Sequence, residues 1–303
     1  VRAAALRSFG PPEVLTVADL DEPQAAAGQV RVRVRVAGVQ PFDCKVRAGV
    51  MPSRLTGSFP IVPGNEFAGV IDQVGADVTG FSTGDAVLGY STLRAYAEYI
   101  VVSADQVALK PEAMPWDIAG GFSGAAQGAR NALLQMDIKP GDTVLLNGAA
   151  GGLGTMAIQL AKIRGAATVI GTAREENHDH LRALGAIPLT YGEGLVDRIR
   201  EVAPDGVDAA LGSGVDGLRA SIAVTKDKDR VVTMIFDEEI AALGIRDWVG
   251  VRTAEGLAEM LGFHTEGRCD VHIRAAYPLD QAADAQRDVG SGHGRGKVVI
   301  TVD

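Results

Sequence analysis

The sequence predicts a mixed fold in two parts: a β-rich domain, and an α/β domain built on a doubly wound parallel sheet. Three observations predict it. Short apolar runs with close turn residues fill roughly the first hundred positions. Strand and helix patterns then alternate from Val144 to Phe236. At the start of that alternation stands VLLNGAAGGLGTMAIQLAK, Val144 to Lys162, which is a buried strand, a glycine turn and a helix start.

In the β-rich part, Val30 to Val36 alternates, with Arg31, Arg33 and Arg35 at period two. The spacing predicts a strand whose arginines form its wet face. Phe67–Val74, Ala86–Gly89 and Ala95–Val102 are further short strand patterns bounded by Gly, Asp and Pro. Many short strands with close turns predict a partly open barrel or sandwich. The character changes near Pro115, and Asp117 to Met136 is Ala-rich, predicting one or two helices.

The alternation then predicts strands at Val144–Leu146, Ala167–Thr172, Ile187–Tyr191, Val207–Leu211 and Arg230–Phe236. Helices are predicted at Leu153–Arg164, Asn177–Leu184, near Leu195–Val202 and near Leu218–Val224. Val271–Tyr277 and Lys297–Val302 return to strand patterns and are expected to rejoin the first domain.

The glycine run carries the chemistry. Gly151, Gly152 and Gly154 let backbone amides approach a pyrophosphate that a side chain would block. The helix start behind them offers unpaired N–H groups and a favourable dipole to that anion. Thr143 to Ala161 is uncharged, yet its glycines and its two patterns fit a strand and an amphipathic helix better than a membrane span.

A net charge of −9 with scattered basic residues argues against a nucleic-acid surface. No basic stretch followed by an apolar one opens the chain, so no secretory signal is expected. With two cysteines, Cys44 and Cys269, a disulfide framework is not expected and a reducing cytosol is the default.

The motifs stand in a recognisable order: RAAALRSFGPPEVL at the N-terminus, QPFDCKVRAG at 40–49, PGNEFAGVI at 63–71, AYAEY at 95–99, KPGDTVLLNGAAGGLG at 139–154 and GKVVITV at 296–302. In this order the chain resembles the medium-chain dehydrogenase/reductase superfamily over nearly its whole length. It is most similar to the zinc-independent quinone oxidoreductase (zeta-crystallin-like) branch. The resemblance implies a GroES-like domain of residues 1–118 and 266–303 and a Rossmann-type domain of residues 119–265, with the active site in the cleft between them. It also implies a homodimer.

Zinc members of the superfamily place a Cys where this chain has Gln40 and a His where it has Asn65, before Glu66. A carboxamide is a poor substitute for a thiolate or imidazole on zinc. The four close cysteines of a structural zinc site are missing between Cys44 and Cys269. Cys44 reads as a packing residue, and His178 and His180, two apart on a helix, as solvated. No metal is expected. Without a Lewis acid, the substrate must accept a hydride unaided. That favours a quinone or an α,β-unsaturated carbonyl, which spreads the developing charge itself.

NAD-binding relatives carry an acid at the end of the second strand, where this chain has Thr172, Ala173 and Arg174. Arg174 offers a planar fork and Thr172 a hydroxyl to a 2′-phosphate, so NADPH is favoured over NADH. Tyr191 matches a tyrosine that closes the adenosine pocket in relatives. Asn177 stands where relatives often have Lys, and Glu175 and Glu176 add unhelpful charge. The resemblance extends the cofactor contacts to Ala150, Leu153, Gly212, Ser213, Phe236 and Lys297.

By the same resemblance Gln40 and Gln127 flank the nicotinamide, where relatives have Asn and Thr. Asp43 and Arg47 fit the family's Asp-x-x-x-Arg spacing, which implies a buried pair ordering the loop rather than a catalytic role. Tyr90, Tyr96 and Tyr99 are alternative acids, the last two in a strand pattern, and no proton donor is assigned. The expected activity is NADPH-dependent reduction of a quinone or enone in the cytosol. An enoyl reductase acting on a tethered or polyketide-type intermediate, and a non-catalytic NADPH-binding structural protein, are alternatives on the same residues.

Overall fold

The computed structural model describes residues 1–51, 53–234, 238–245, 250–292 and 294–302. The chain divides into two units. The first holds Val1–Ala125, Arg252–Thr265 and Asp270–Asp303, and the second Ala126–Val251 and Glu266–Cys269.

In chain order, the elements begin with β1 (Arg2–Leu6), β2 (Leu15–Asp19), β3 (Gln29–Val39), α1 (Pro41–Ala48), α2 (Ser53–Thr56), β4 (Glu66–Val74), β5 (Ala86–Tyr90), β6 (Tyr99–Ser103), β7 (Val107–Leu109) and α3 (Trp116–Gln135). Next come β8 (Thr143–Leu146), α4 (Gly152–Ile163), β9 (Thr168–Thr172), α5 (His178–Ala183), β10 (Ile187–Leu189), α6 (Leu195–Val202), β11 (Ala209–Gly212), α7 (Gly214–Val224) and β12 (Val231–Thr233). The chain closes with α8 (Glu238–Ala241), α9 (Ala254–Thr265), β13 (Ile273–Pro278), α10 (Ala282–Gly290) and β14 (Lys297–Thr301).

The first unit is built around β3, which pairs antiparallel with β4, β6 and β14. Its sheet runs β13-β14-β3-β4-β5-β7 among the described residues, with β6 on β3. The alternation works as read for the valines: Val30, Val32, Val34 and Val36 are buried. The expectation of a wet arginine face needs correction. Arg31 grips Asp72 with two hydrogen bonds (3.0 and 2.8 Å), pairs with Glu22 and lies over the Tyr99 ring. Arg35 stacks on the Trp116 ring at 4.6 Å. Arg33 alone of the three is exposed. Their apolar stems and planar heads find partners on neighbouring elements, so the face is mostly covered.

The run Ala95–Val102 is strand only from Tyr99. Tyr96 is drawn fully inward, and its backbone N–H donates to Pro63 O. Gly64, at φ +94°, makes room for that ring, since a Cβ there would collide with it. α1 starts at the extended Gln40 with Pro41 first in the helix, and stops at Gly49, whose φ of +77° suits glycine.

In the second unit, among the described residues, β10-β9-β8-β11-β12 lie side by side and all parallel. The chain moves outward from β8 to β9 and β10, then returns to the other side of β8 for β11. This reversal is the switch point of a doubly wound sheet, where ligands sit beyond the carboxyl ends of the strands. β8 buries Val144, Leu145 and Leu146, and α4 buries Met156, Ala157, Ile158 and Leu160, as the periodicity predicts.

Arg252–Thr265 groups with the first unit, although the expected boundary put it with the second. Arg252 donates to the Asn65 and Ser91 carbonyls, and His264 packs edge-on against Phe122 at 5.5 Å. These contacts join segments far apart in sequence. No helix among the described residues is long and apolar enough to cross a membrane.

Candidate functional site

The glycine turn of the second unit leaves β8 at its carboxyl end, at the switch point. Asn147 pins it there. Its amide donates to Leu211 O (3.1 Å) and Ser221 Oγ (2.9 Å), and its Oδ1 accepts from Thr172 Oγ1 (3.2 Å). Gly148 follows in the left-handed region, φ +67°, and its N–H donates to the same Thr172 hydroxyl (3.3 Å). Ser213, exposed at the start of α7, faces Gly148, and Gly212 ends β11 just before it.

Gly151 is the N-cap of α4 and supplies no side-chain cap, so the first helical N–H groups await another acceptor. Gly154 permits close packing. A Cβ there would meet Gly148 O and stand 2.6 Å from Ala149 Cα. The residues fit a dinucleotide phosphate: an uncapped helix start, a turn without bulk and a helix held tight on its strand.

The ribose end of the expected site is brought together in part. Arg174 Nε donates to the Tyr191 hydroxyl at 3.0 Å, across 17 positions of sequence. Asn177 is half-buried just before α5. Thr172 needs correction. It is 1% exposed, and its hydroxyl proton already goes to Asn147. A hydroxyl has one proton to give, so Thr172 shapes the turn and offers none to a phosphate. The solvated reading of the two histidines also fails: His180 Nε2 lies 3.1 Å from Thr155 Oγ1, and His178 Nε2 lies 3.4 Å from Ala173 O. Ala150 and Leu153 lie in the turn and first helical turn, Gln127 is buried within α3, and Phe236 lies outside the described residues.

A second polar cluster lies in the first unit. Glu66, fully buried, accepts from Lys297 Nζ, from Gln40 Nε2 (3.0 Å) and from Gly124 N (2.6 Å). Lys297, expected as a cofactor contact, is 6% exposed and ion-paired here beside Gln40. Two glycines make the space: a Cβ at Gly38 would run into the Glu66 carboxyl, and one at Gly124 into the Gln40 amide. Sequence reasoning missed this pair. The signal available was glycine at Gly38, inside a strand otherwise rich in valine, which marks a close approach.

Asp43 is also buried, but not with Arg47 as the spacing suggested. It accepts from Gln40 N (2.9 Å), Gly64 N (3.2 Å) and the Tyr96 hydroxyl (3.0 Å). Arg47 turns instead to Gly10 O (3.2 Å) and Gln286 Oε1 (3.1 Å). On a helix of this register the two side chains share a face, and the better acceptors for the arginine lie on the other segments packed there. Cys44 is a packing residue, its Sγ 3.4 Å from Gln286 O and its thiol pushed up to about 11 by burial.

Burial raises Asp43 from 3.8 to about 6, partly offset by the hydrogen bonds from Gln40 and Tyr96 and by the charge of Lys297. An acid whose folded pKa lies above its unfolded value holds its proton more tightly when folded. Asp43 therefore costs stability as pH rises through this window. The stability of the wild type relative to Asp43→Asn is expected to fall between pH 3.8 and about 6, by on the order of 3 kcal/mol, and then level off. Urea unfolding of both proteins across that range checks it, and a gap that stays constant rules the shift out.

Arg252 lies over the Tyr90 ring, donating to Asn65 O (2.8 Å) and Ser91 O (2.5 Å), and burial lowers its pKa. Among the described residues, no group of three or more His, Cys, Asp and Glu is placed to hold a metal ion.

Two family descriptions match the chain: the alcohol dehydrogenase GroES-like domain over residues 26–112 and the zinc-binding dehydrogenase domain over residues 184–300. The structure of the quinone oxidoreductase from Coxiella burnetii superposes with a TM-score of 0.87 at 30% identity, covering 100% of this chain and 99% of that one. The chain belongs to the medium-chain dehydrogenase/reductase superfamily. Within the superfamily it is also 27% identical to the chloroplastic NADPH-dependent alkenal/one oxidoreductase of Arabidopsis thaliana, over 99% of this chain and 79% of the relative. The Escherichia coli quinone oxidoreductase complexed with NADPH superposes with a TM-score of 0.85 at 25% identity, over the whole of both chains. The superfamily's two domain types are present as the GroES-like β-rich first unit and the Rossmann-type parallel sheet of the second.

Proposed function

We propose that the chain is an NADPH-dependent reductase of quinones or α,β-unsaturated carbonyls that works without zinc. The observation that carries the reading is the uncapped glycine start of α4 at the switch point, with Arg174 and Tyr191 joined at the end of the neighbouring strand. When bound there, NADPH supplies a hydride. The amides of Gly151, Gly152 and Gly154 hold its pyrophosphate, and the Arg174 guanidinium holds the 2′-phosphate. Ser213, beside Gly148, closes the turn from the adjacent strand.

The donor set at the first unit's cluster supports work without a metal. Gln40 and Asn65 offer carboxamides, and the Glu66 carboxylate is already neutralised by Lys297. Neither amide is a good zinc ligand, and a carboxylate paired with an ammonium would have to give it up to bind an ion. A conjugated carbonyl suits such a site because it needs only positioning and hydrogen bonds. A homodimer follows from the same resemblance, and a reducing cytosol from the presence of only two cysteines.

The test is purified protein with NADPH or NADH and a panel of quinones, enones and acyl-thioesters. Oxidation of NADPH by a quinone or enone is expected. Cofactor binding without turnover of any acceptor would overturn the reading, and turnover of acyl-thioesters alone would favour a reductase of tethered intermediates. In the same assay Arg174→Ala is expected to raise the apparent KM for NADPH roughly 10- to 100-fold, the loss of a charge-assisted phosphate contact, and to leave that for NADH unchanged. An unchanged value for NADPH removes the 2′-phosphate from Arg174.

A further inference from the structure

The carboxylates of Glu66 and Asp43 are satisfied donor by donor, but Asn65 Oδ1 is not. Glu66 takes Lys297, Gln40 and Gly124, and Asp43 takes Gln40, Gly64 and Tyr96. Arg252 donates to two backbone carbonyls. Asn65, directly before β4, is 7% exposed, and its Oδ1 is buried with no hydrogen-bond partner among the described residues. The backbone of Asn65 is nonetheless held firmly. Its carbonyl accepts from Arg252 Nη1 (2.8 Å) and from Ser91 N (3.1 Å). The backbone is thus fixed in place while the side-chain amide bonds nothing among the described residues.

Buried polar groups without a partner are rare, and each one calls for a reason. Position supplies one. By the resemblance, residues 40 and 65 are where zinc members carry ligands, and a catalytic zinc polarises the substrate's oxygen. Of the two carboxamides standing there, Gln40 is committed to Glu66 and Asn65 is not.

We propose that Asn65 hydrogen-bonds the reacting oxygen of the substrate, an inference that rests on the quinone or enone reductase reading. A carboxamide carries a donor and an acceptor, and turning about its last bond presents either. Its NH2 donates to the carbonyl oxygen of the quinone or enone. As carbon gains the hydride, the π electrons of the conjugated system move onto that oxygen, and the N–H bond to it strengthens. A proton from water then completes the hydroxyl, which donates to Oδ1. The acceptor gains one hydride and one proton, and NADPH leaves as NADP⁺.

The test compares wild type, Asn65→Leu and Asn65→Ala, the last of which cannot overfill the site. Both variants are expected to lower kcat/KM for a quinone and an enone by roughly tenfold or more. The Kd for NADPH, titrated by fluorescence, stays unchanged. The Tm of Asn65→Leu is expected to match or exceed that of wild type, because an unsatisfied polar group leaves the interior. Asn65→Ser, which keeps a donor and an acceptor, is expected to recover part of the activity. A kcat/KM within twofold of wild type in both truncations overturns the proposal. A Tm that falls with the activity also overturns it and makes Asn65 structural. A wild type that binds NADPH but reduces no acceptor fails the underlying reading instead, and this inference falls with it.

Discussion

Lys297→Met is expected to lower stability by about 3–5 kcal/mol, the cost of leaving a buried charge without its partner. The reason lies in Glu66. Its carboxylate is 0% exposed and holds three donors, of which only Lys297 brings positive charge. Without the ammonium, Gln40 and Gly124 still donate, but a full negative charge remains in a water-poor interior. For a chain of this length the midpoint should drop by roughly 5–8 degrees. Adding Glu66→Gln to Lys297→Met removes the stranded charge and should restore part of the loss; Gln40 Nε2 and Gly124 N approach different carboxylate oxygens, so the single amide oxygen keeps one of the two donors. Thermal and urea unfolding of the single and double variants decide it. A loss under about 1 kcal/mol in the single variant would show that the pair contributes little.

Gly154→Ala is expected to weaken NADPH binding roughly 100-fold, from a change of one methyl group. The new Cβ would overlap Gly148 O and approach Ala149 Cα at 2.6 Å and its carbonyl carbon at 2.8 Å. These are backbone atoms, so no side chain can swing away. Relief requires α4 to back off from the turn, moving the amides that the phosphate needs. Overpacking of this kind costs about 1–3 kcal/mol in stability as well. Fluorescence titration with NADPH and a melting curve separate the two effects. Gly152→Ala, at the first position of the same helix, serves as a comparison. Unchanged affinity in Gly154→Ala would mean that the turn does not hold the phosphate.

Legibility in the sequence followed the range of the interaction. The alternating valines of β3 and the strand, turn and helix of Val144 to Lys162 were readable because pleat and helix periods are local. Residues whose partners are distant were misread. Arg31 and Arg35 looked like a solvated face until Asp72, Tyr99 and Trp116 met them. Asp43 and Arg47, one helical turn apart, looked like a pair until each found partners on other segments. Thr172 looked like a phosphate ligand until Asn147, 25 positions earlier, took its proton.

The sequence alone determined that a glycine turn follows a buried strand, and that residues 40 and 65, where the resemblance places a thiolate and an imidazole in zinc members, carry amides. Both are properties of residue type and local spacing. Only the tertiary structure decided that Glu66 is neutralised by Lys297, 231 positions away, and that Gln40 is committed to it while Asn65 Oδ1 has no partner among the described residues. A buried charge or amide takes its partner from whatever the fold brings within about 3 Å, and that choice leaves no period in the chain.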